Sequence, residues 1–282
     1  MAAALDDFLW TYQGVIAALG VNGLLALSIY ATLAVGQLSL GQAAFMGLGA
    51  YVSALLSLHT GLSFPAVLAL AMAAPAAGAL LVGAPTRRLS GVYLALATIA
   101  LCEIFRIFLI QSEFAGGALG LSGIPERAGF ALIYGALAAA TLGLVLVTRS
   151  RVGRAMDAIR QDEAAAAASG IDLARYKMAA LVASAALAGL AGALNAHATS
   201  FISPNEYGFD AAVAILSYAL LGGTGSPFGP LAGAAILTLL PELLRPLQDF
   251  RLVVNGFIIV VAVLFMPHGL LPWRMSRVGA KP

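Results

Sequence analysis

The clearest pair of ionisable residues inside an apolar stretch is Glu103 and Arg106, in the run RRLSGVYLALATIALCEIFR. Residues three apart share one face of a helix, so these two side chains can form an ion pair. Ionisable groups in such surroundings usually face a protein interior or an aqueous path, because isolated charges there are costly. The pair therefore has two possible roles, as a structural ion pair or as part of a polar path.

Other arrangements that carry chemistry are missing from the sequence. A P-loop needs a lysine after a glycine-rich turn, whereas Lys177 follows Tyr176 and the other lysine, Lys281, lies at the end of the chain. No cysteine or carboxylate stands at metal-ligand spacing from any of the three histidines, His59, His197 and His268. No serine can be matched with a base and an orienting acid. We therefore predict no enzymatic activity, no metal site and no cofactor bound by this chain.

The composition of the chain predicts which secondary structure holds the polar residues in place. The chain of 282 residues is 61% hydrophobic and only 10% charged, with a mean hydropathy of +0.95. Soluble domains are roughly 45–50% apolar, so this is an integral membrane protein. Each span needs about 20 apolar residues, which predicts an all-α, polytopic transmembrane helix bundle of about eight to ten spans. The formal charge of +2 gives no support for nucleic-acid binding.

Hydropathy predicts nine spans, and the basic residues predict their orientation. Most lysines and arginines fall on one side of an alternating threading, which makes that side cytoplasmic and places the N-terminus outside. The polar loop 148–177 is then cytoplasmic. The nine predicted spans are 15–35, 43–58, 62–84, 92–110, 128–147, 178–201, 210–222, 228–241 and 252–266.

Two glycine-rich stretches interrupt the apolar runs. They are VGQLSLGQAAF at 35–45 and LGGTGSPFGPLAG at 221–233. Irregular backbone at membrane depth persists only where protein or a water-filled cavity satisfies it, so such breaks point to a transport path. Ordinary tight loops at the surface are the alternative. The candidates for lining a path are Gln37, Ser39, Gln42, Glu103, Arg106, Asn195, His197, Gly222 and Gly223, and for Asn195, His197 and Asn22 interhelical hydrogen bonding is the competing role.

Small residues recur four apart in AALAGLAGAL at 185–194. Ala185 precedes Gly189, and Ala188 precedes Gly192, by this interval. Small side chains at helical spacing allow helix backbones to approach closely in lipid. We predict that this face is a helix-packing surface.

The most polar stretch of the chain, 149–177, holds ten of its 28 charged residues. Good helix formers predict one helix from Arg154 to Ser169, which Gly170 ends in a left-handed conformation before Asp172 caps the next helix. Its alanine-rich face with mixed charges suits docking on another protein, and a solvated loop at the lipid surface is the alternative. The residues proposed for docking are Arg154, Arg160, Asp162, Glu163 and Gly170.

A family resemblance favours docking. Six segments resemble the permease subunits of branched-chain amino acid ABC importers, the LivM type more than its LivH-type partner. They are GQLSLGQAAFMGLGAYVSALL, RRLSGVYLALATIALCEIFR, AGGALGLSGIP, SRVGRAMDAIRQDEAAAAASGIDLARYKMAALVASAALAGLAGAL, LLGGTGSPFGPLAGAAILTLLPELLR and MPHGLL. The resemblance implies one transmembrane permease domain over 1–282 whose cytoplasmic loop, 148–177, couples to an ATPase. It also implies a multi-pass protein of the bacterial inner membrane, in contact with lipid.

The same resemblance implies the partners and the activity. They would be a second permease of the LivH type, two cytoplasmic ATPases that bind ATP and magnesium, and an extracytoplasmic substrate-binding protein. With a hydrophobic substrate, a structural role for the Glu103–Arg106 pair is favoured. Urea or short amides are an alternative substrate class. An ion-coupled secondary transporter, which would need titrating carboxylates in the membrane, and a membrane scaffold without transport are alternatives of other kinds.

Overall fold

The fold is a bundle of helices in a computed structural model that describes residues 2–86, 89, 91–243 and 256. The described helices are α1 Ala2–Leu33, α2 Gln42–His59, α3 Phe64–Thr86, α4 Gly91–Gln111, α5 Phe130–Arg149, α6 Arg151–Gln161, α7 Glu163–Ala168, α8 Leu173–Thr199, α9 Phe209–Gly222 and α10 Phe228–Leu243. Short 3₁₀ turns lie at Glu113–Ala115, Gly117–Leu119 and Pro204–Tyr207. Two strands, β1 Leu121–Ser122 and β2 Phe201–Ile202, pair antiparallel with Leu121 opposite Ile202.

Eight of the nine predicted spans coincide with these helices, and the ninth, 252–266, lies outside the described residues except for Gly256. Within the described part of the chain, five helices are long and apolar enough to cross a membrane: Tyr12–Leu33, Phe64–Thr86, Gly91–Gln111, Phe130–Arg149 and Leu173–Thr199. The prediction of an all-α, polytopic transmembrane bundle is confirmed. Helices α2, α9 and α10 are shorter, and two of them directly follow the glycine-rich breaks.

Helix α8 lies at the centre of the bundle and packs against α1, α2 and α3. A Cβ atom added to Gly192 would lie 2.0 Å from the Met46 carbonyl oxygen of α2, and one added to Gly49 would lie 2.3 Å from the Gly189 oxygen. Ala185 and Ala188 are fully buried on the same helix. The predicted packing role of the small residues at 185–194 is therefore confirmed, because only small side chains permit this approach.

The polar stretch folds differently from the single helix predicted for 154–169, and that prediction is wrong. Asp162 adopts an extended conformation and divides the stretch into α6 and α7. Its carboxylate accepts hydrogen bonds from the amides of Ala164 at 2.8 Å and Ala165 at 3.0 Å, which makes it the N-cap of α7. The alanine run favours helix, but a capping aspartate offers the backbone a competing hydrogen-bond pattern.

The predicted end of this stretch is confirmed. Gly170 has a φ of +83°, a left-handed conformation that L side chains adopt only with strain. The Ile171 amide then donates to the Ala166 carbonyl oxygen at 3.1 Å, as in a Schellman motif. The Asp172 carboxylate accepts from the Arg175 amide at 3.2 Å and caps α8. The chain thus turns sharply from α7 into the central helix of the bundle.

Candidate functional site

The first break is an irregular segment held inside the bundle. Helix α1 ends at Leu33, and α2 begins at Gln42 after a turn and a short stretch without regular secondary structure. The Leu40 amide donates to the Thr98 hydroxyl at 2.9 Å, and the Cys102 thiol donates to the Leu40 carbonyl oxygen at 3.3 Å. Cys102 lies about 16 Å along α4 from its first residue at 1.5 Å per residue. The break therefore reaches the depth of the helices, which favours a broken span over a surface loop.

Thr98→Val tests how much the backbone of this break depends on α4. Valine keeps the shape of threonine but leaves the buried Leu40 amide without its acceptor, which typically costs about 1–3 kcal/mol. We expect a lower apparent melting temperature of the purified protein in detergent. The matched control is Thr141→Val, because the Thr141 hydroxyl bonds only within its own helix, to the Leu137 carbonyl oxygen. Equal melting temperatures for the two variants would contradict a stabilising hydrogen bond from the Leu40 amide to the Thr98 hydroxyl.

Gln42, a path candidate, is built into a buried polar network. Its amide nitrogen lies 3.3 Å from the Thr32 hydroxyl and 3.2 Å from the Ser184 hydroxyl. The Ser28 hydroxyl donates to the Ser184 carbonyl oxygen at 2.8 Å. These contacts join α1, the start of α2 and α8 through side chains that are almost fully buried. Sequence reasoning missed Ser28, Thr32 and Ser184, although Ser28 and Thr32 stand four apart in an apolar helix, where polar side chains commonly make interhelical hydrogen bonds.

Gln37 and Ser39 lie in the irregular stretch itself. Ser39 is fully buried and its hydroxyl accepts from the Gly41 amide at 3.4 Å. Gln37 is 8% exposed, and within the described residues its side-chain oxygen accepts no hydrogen bond. It lines a cavity of about 180 Å³ together with Glu163 and Lys177, whose charged groups pair at 2.7 Å. A polar side chain of the break thus faces the segment that contains α7.

At the second break, glycines bring two helices into close contact. A Cβ atom added to Gly222 would lie 1.8 Å from the Gly229 carbonyl oxygen, and one added to Gly233 would lie 2.0 Å from the Tyr218 oxygen. Gly223 has a φ of +88° and ends α9. The two candidates Gly222 and Gly223 thus form a tight hairpin between α9 and α10, and whether they line a path stays a prediction.

Arg160 connects α6 to both breaks. Its guanidinium donates to the Thr224 carbonyl oxygen at 3.1 Å, in the turn between α9 and α10. Its Cα atom lies 3.4 Å from the position that a Cβ atom on Gly36 would occupy, in the turn of the first break. Asp157 lies 3.8 Å from the same guanidinium. With a side chain only 20% exposed, Arg160 points into the bundle and not away from it.

The other residues proposed for docking lie on the surface. Arg154, Asp162, Glu163 and Gly170 are all exposed. The opposite side of α6 and α7 is buried through Ile159 and Ala166. The segment therefore has an outer face, available for a partner, and an inner face that contacts the breaks. Docking itself stays a prediction.

The expected Glu103–Arg106 ion pair is present at the other end of the bundle. The Arg106 Nε atom lies 2.9 Å from a Glu103 oxygen, and each side chain is about a third exposed. The second Glu103 oxygen accepts from the Phe209 amide at 2.8 Å, and Arg106 donates to the Asn205 side chain at 3.2 Å. The pair ties α4 to the start of α9, as the structural interpretation requires.

His197 is a fully buried junction between four segments. One ring nitrogen, Nδ1, lies 2.8 Å from the Pro125 carbonyl oxygen, so it carries the proton because a carbonyl oxygen only accepts. The other nitrogen lies 3.3 Å from the Ser57 hydroxyl, and the ring packs edge-on against Phe64. These contacts support the hydrogen-bonding role that competed with a place in the path.

The remaining polar candidates differ in their surroundings. Asn195 lines a cavity of about 180 Å³ with Gln13, Glu126 and Thr199. Asn22 donates to the Thr238 hydroxyl at 2.9 Å, an interhelical bond between α1 and α10. Among residues 2–86, 89, 91–243 and 256, no three histidine, cysteine or acidic side chains are grouped to hold a metal ion. The absence of a metal or cofactor site in the whole chain stays a prediction.

Comparison with known protein families identifies the family of this chain. Residues 12–264 match the family described as the permease component of the branched-chain amino acid transport system. The chain belongs to this family. The permease is 33% identical to the high-affinity branched-chain amino acid transport system permease protein LivM of Salmonella typhimurium, over 99% of this chain and 72% of that relative. LivM of Escherichia coli K12 is also 33% identical, over 95% of this chain and 69% of that relative.

The permease also resembles LivH of Escherichia coli K12, with 33% identity over 47% of this chain and 44% of LivH. The likeness to LivM therefore extends over about twice as much of the chain, in agreement with the resemblance seen in the sequence. No solved structure matches this chain. The family and the helices together make the protein a multi-pass membrane permease.

Proposed function

We propose that this permease forms half of the membrane path of an ATP-driven importer for branched-chain amino acids in the bacterial inner membrane. The observation that carries the proposal is the similarity to LivM over 99% of the chain. The other half is a second permease of the LivH type, and an extracytoplasmic binding protein delivers the substrate. Two cytoplasmic ATPases bind ATP and magnesium, so this subunit binds no cofactor of its own.

In this proposal the segment 148–177 transmits the movement of an ATPase to the path. The exposed residues Arg154, Asp162 and Glu163 form the face that the ATPase contacts. On the inner face, the contacts of Arg160 with Thr224 and Gly36 connect α6 to both breaks. A displacement of α6 therefore reaches both irregular segments directly. The breaks, with Gln37, Ser39, Gln42, Gly222 and Gly223, are the parts of the path that rearrange.

The test is substrate-stimulated ATP hydrolysis in liposomes. The permease is reconstituted with the second permease, the ATPases and the binding protein of the same organism, and assayed with leucine, isoleucine, valine, polar amino acids and urea. We expect stimulation by the branched-chain amino acids alone. Stimulation by urea or short amides would show that these compounds, and not branched-chain amino acids, are the substrates. Failure of the subunits to assemble would refute the proposal as a whole.

Uptake by the isolated permease, driven by an ion gradient without ATP, would instead establish a secondary transporter. The geometry disfavours that mechanism, because both oxygens of Glu103 are already engaged, one by Arg106 and one by the Phe209 amide. A carboxylate held in this way is poorly suited to binding and releasing a coupling ion.

A further inference from the structure

A cavity of about 680 Å³, with charged side chains in its wall, lies at the predicted cytoplasmic end of the bundle. It is bordered by the end of α1, the end of α5, α6 and the turn between α9 and α10. Arg149 and Arg160 supply two positive charges to its wall, and Asp157 supplies one negative charge. Burial raises the pKa of Asp157, and the nearby Arg160 opposes that shift. The charged side chains of the cavity thus carry a net positive charge, which favours an anionic occupant.

An apolar groove of about 460 Å³ continues from this cavity along the bundle. Val145 and Phe228 line both spaces, so the cavity and the groove are contiguous. The groove runs between α5 and α10, and the residues along its α5 side include Tyr134, Leu137, Ala138, Thr141 and Leu142. Leu142 is 60% exposed within the described residues. One end of this combined site is suited to a charged group and the other to hydrocarbon.

The length of the groove matches one leaflet of a bilayer. Tyr134 and Val145 are eleven residues apart on α5, which corresponds to about 16 Å of helix. The hydrocarbon core of a membrane is about 30 Å thick, so half of it is about 15 Å. The groove therefore extends over the depth of a single leaflet, and the cavity lies at the level of that leaflet's headgroups. Basic pockets between helices on the cytoplasmic side are suited to acidic headgroups.

We propose that this combined site binds one anionic phospholipid of the cytoplasmic leaflet. The phosphate lies in the cavity, where it accepts charge-assisted hydrogen bonds from Arg149 and Arg160, and an acyl chain fills the groove beside Ala138 and Leu142. Arg149 is the main headgroup contact, because Arg160 already donates to the Thr224 carbonyl oxygen. The bound lipid would bridge the end of α5 to the turn at the second break.

The proposal is tested with the full permease, purified in detergent together with its copurifying subunits, by native mass spectrometry during lipid titration. The probes are phosphatidylglycerol and phosphatidylcholine with identical acyl chains. We expect one phosphatidylglycerol to bind about tenfold more tightly than phosphatidylcholine. Both headgroups contain a phosphate, but the choline cation of phosphatidylcholine cancels its negative charge beside Arg149 and Arg160. Arg149→Gln should remove most of this preference, and Asp157→Asn should increase it.

A second pair of variants tests the groove. Ala138→Trp places a bulky ring in the groove and should weaken the binding of both lipids, whereas Ala139→Trp, an exposed neighbour that does not line the groove, should leave binding unchanged. Three results would overturn the proposal. They are an unchanged preference in Arg149→Gln, displacement of the lipid by soluble glycerol 3-phosphate, and failure of Ala138→Trp to fold or assemble while Ala139→Trp succeeds. The second would indicate a site for soluble anions, and the third a groove filled by protein.

Discussion

Gly192→Leu is expected to leave little folded permease in the membrane. Helix α8 crosses α2 at this residue, and an added Cβ atom would lie 2.0 Å from the Met46 carbonyl oxygen and 3.1 Å from the Ala50 amide nitrogen. Both of these atoms belong to the backbone, so a change of side-chain rotamer cannot relieve the clash. Overpacking a core costs about 1–3 kcal/mol even where side chains can adjust, and here whole helices must separate. The measurement is the yield of monodisperse protein after solubilisation.

The matched control for this variant is Gly143→Leu on α5. No atom lies within 4 Å of a Cβ atom added there, and leucine is a better helix former than glycine by roughly 0.5–1 kcal/mol. Its yield should equal or exceed that of the unmodified permease. If both variants accumulated to the same level, α8 and α2 would not be packed as closely in the membrane as the structure has them.

Arg160→Gln is expected to lower substrate-stimulated ATP hydrolysis by about tenfold or more while the ATPase subunits stay bound. The variant removes the guanidinium that donates to the Thr224 carbonyl oxygen and leaves the exposed face of α6 unchanged. Loss of one hydrogen bond from a charged donor costs about 1.5–3 kcal/mol, which corresponds to roughly tenfold or more in an equilibrium. Stimulated and basal ATPase rates in the reconstituted importer, with copurification measured in parallel, provide the comparison.

Arg154→Gln separates transmission from docking in the same experiment. Arg154 lies on the same helix but is exposed on the outer face, so its replacement should reduce the amount of ATPase that copurifies. The ATPase that remains bound should respond to substrate normally. Identical defects in the two variants would show that Arg160 contributes to binding the ATPase and not to relaying its movement.

Much of this fold follows from local sequence signals. Each membrane helix must satisfy its own backbone hydrogen bonds, so long apolar runs specify eight of the described helices with little ambiguity. Gly170 and Asp172 act on their own neighbours, and their roles could be predicted for the same reason. The break at Asp162 was not predicted. The Asp162 carboxylate caps a new helix by accepting from the Ala164 and Ala165 amides, so the chain breaks before the alanine run, whereas propensity alone favours an uninterrupted helix.

The site was less predictable because its contacts join distant parts of the chain. Arg160 could be recognised as a charged residue on a helix, but its partner Thr224 lies 64 residues away in a turn of low complexity. Ser28 and Ser184 lie 156 residues apart and give no local signal of their contact. The pairing of β1 with β2 depends equally on tertiary structure, since each strand has only two residues. The sequence identified several of the polar residues, but it did not show which pairs of them form hydrogen bonds.

The central helix gives this architecture a mechanical property. Helix α8 runs for 27 residues, about 40 Å, from the Asp172 cap beside α7 to Thr199, and β2 follows almost at once. It contains no proline, and the backbones of α2 and α3 approach it closely at Gly189 and Gly192. A helix without a proline kink is expected to move as one rigid body. We therefore expect any displacement at the α7 end of α8 to be carried to the strand pair at its other end.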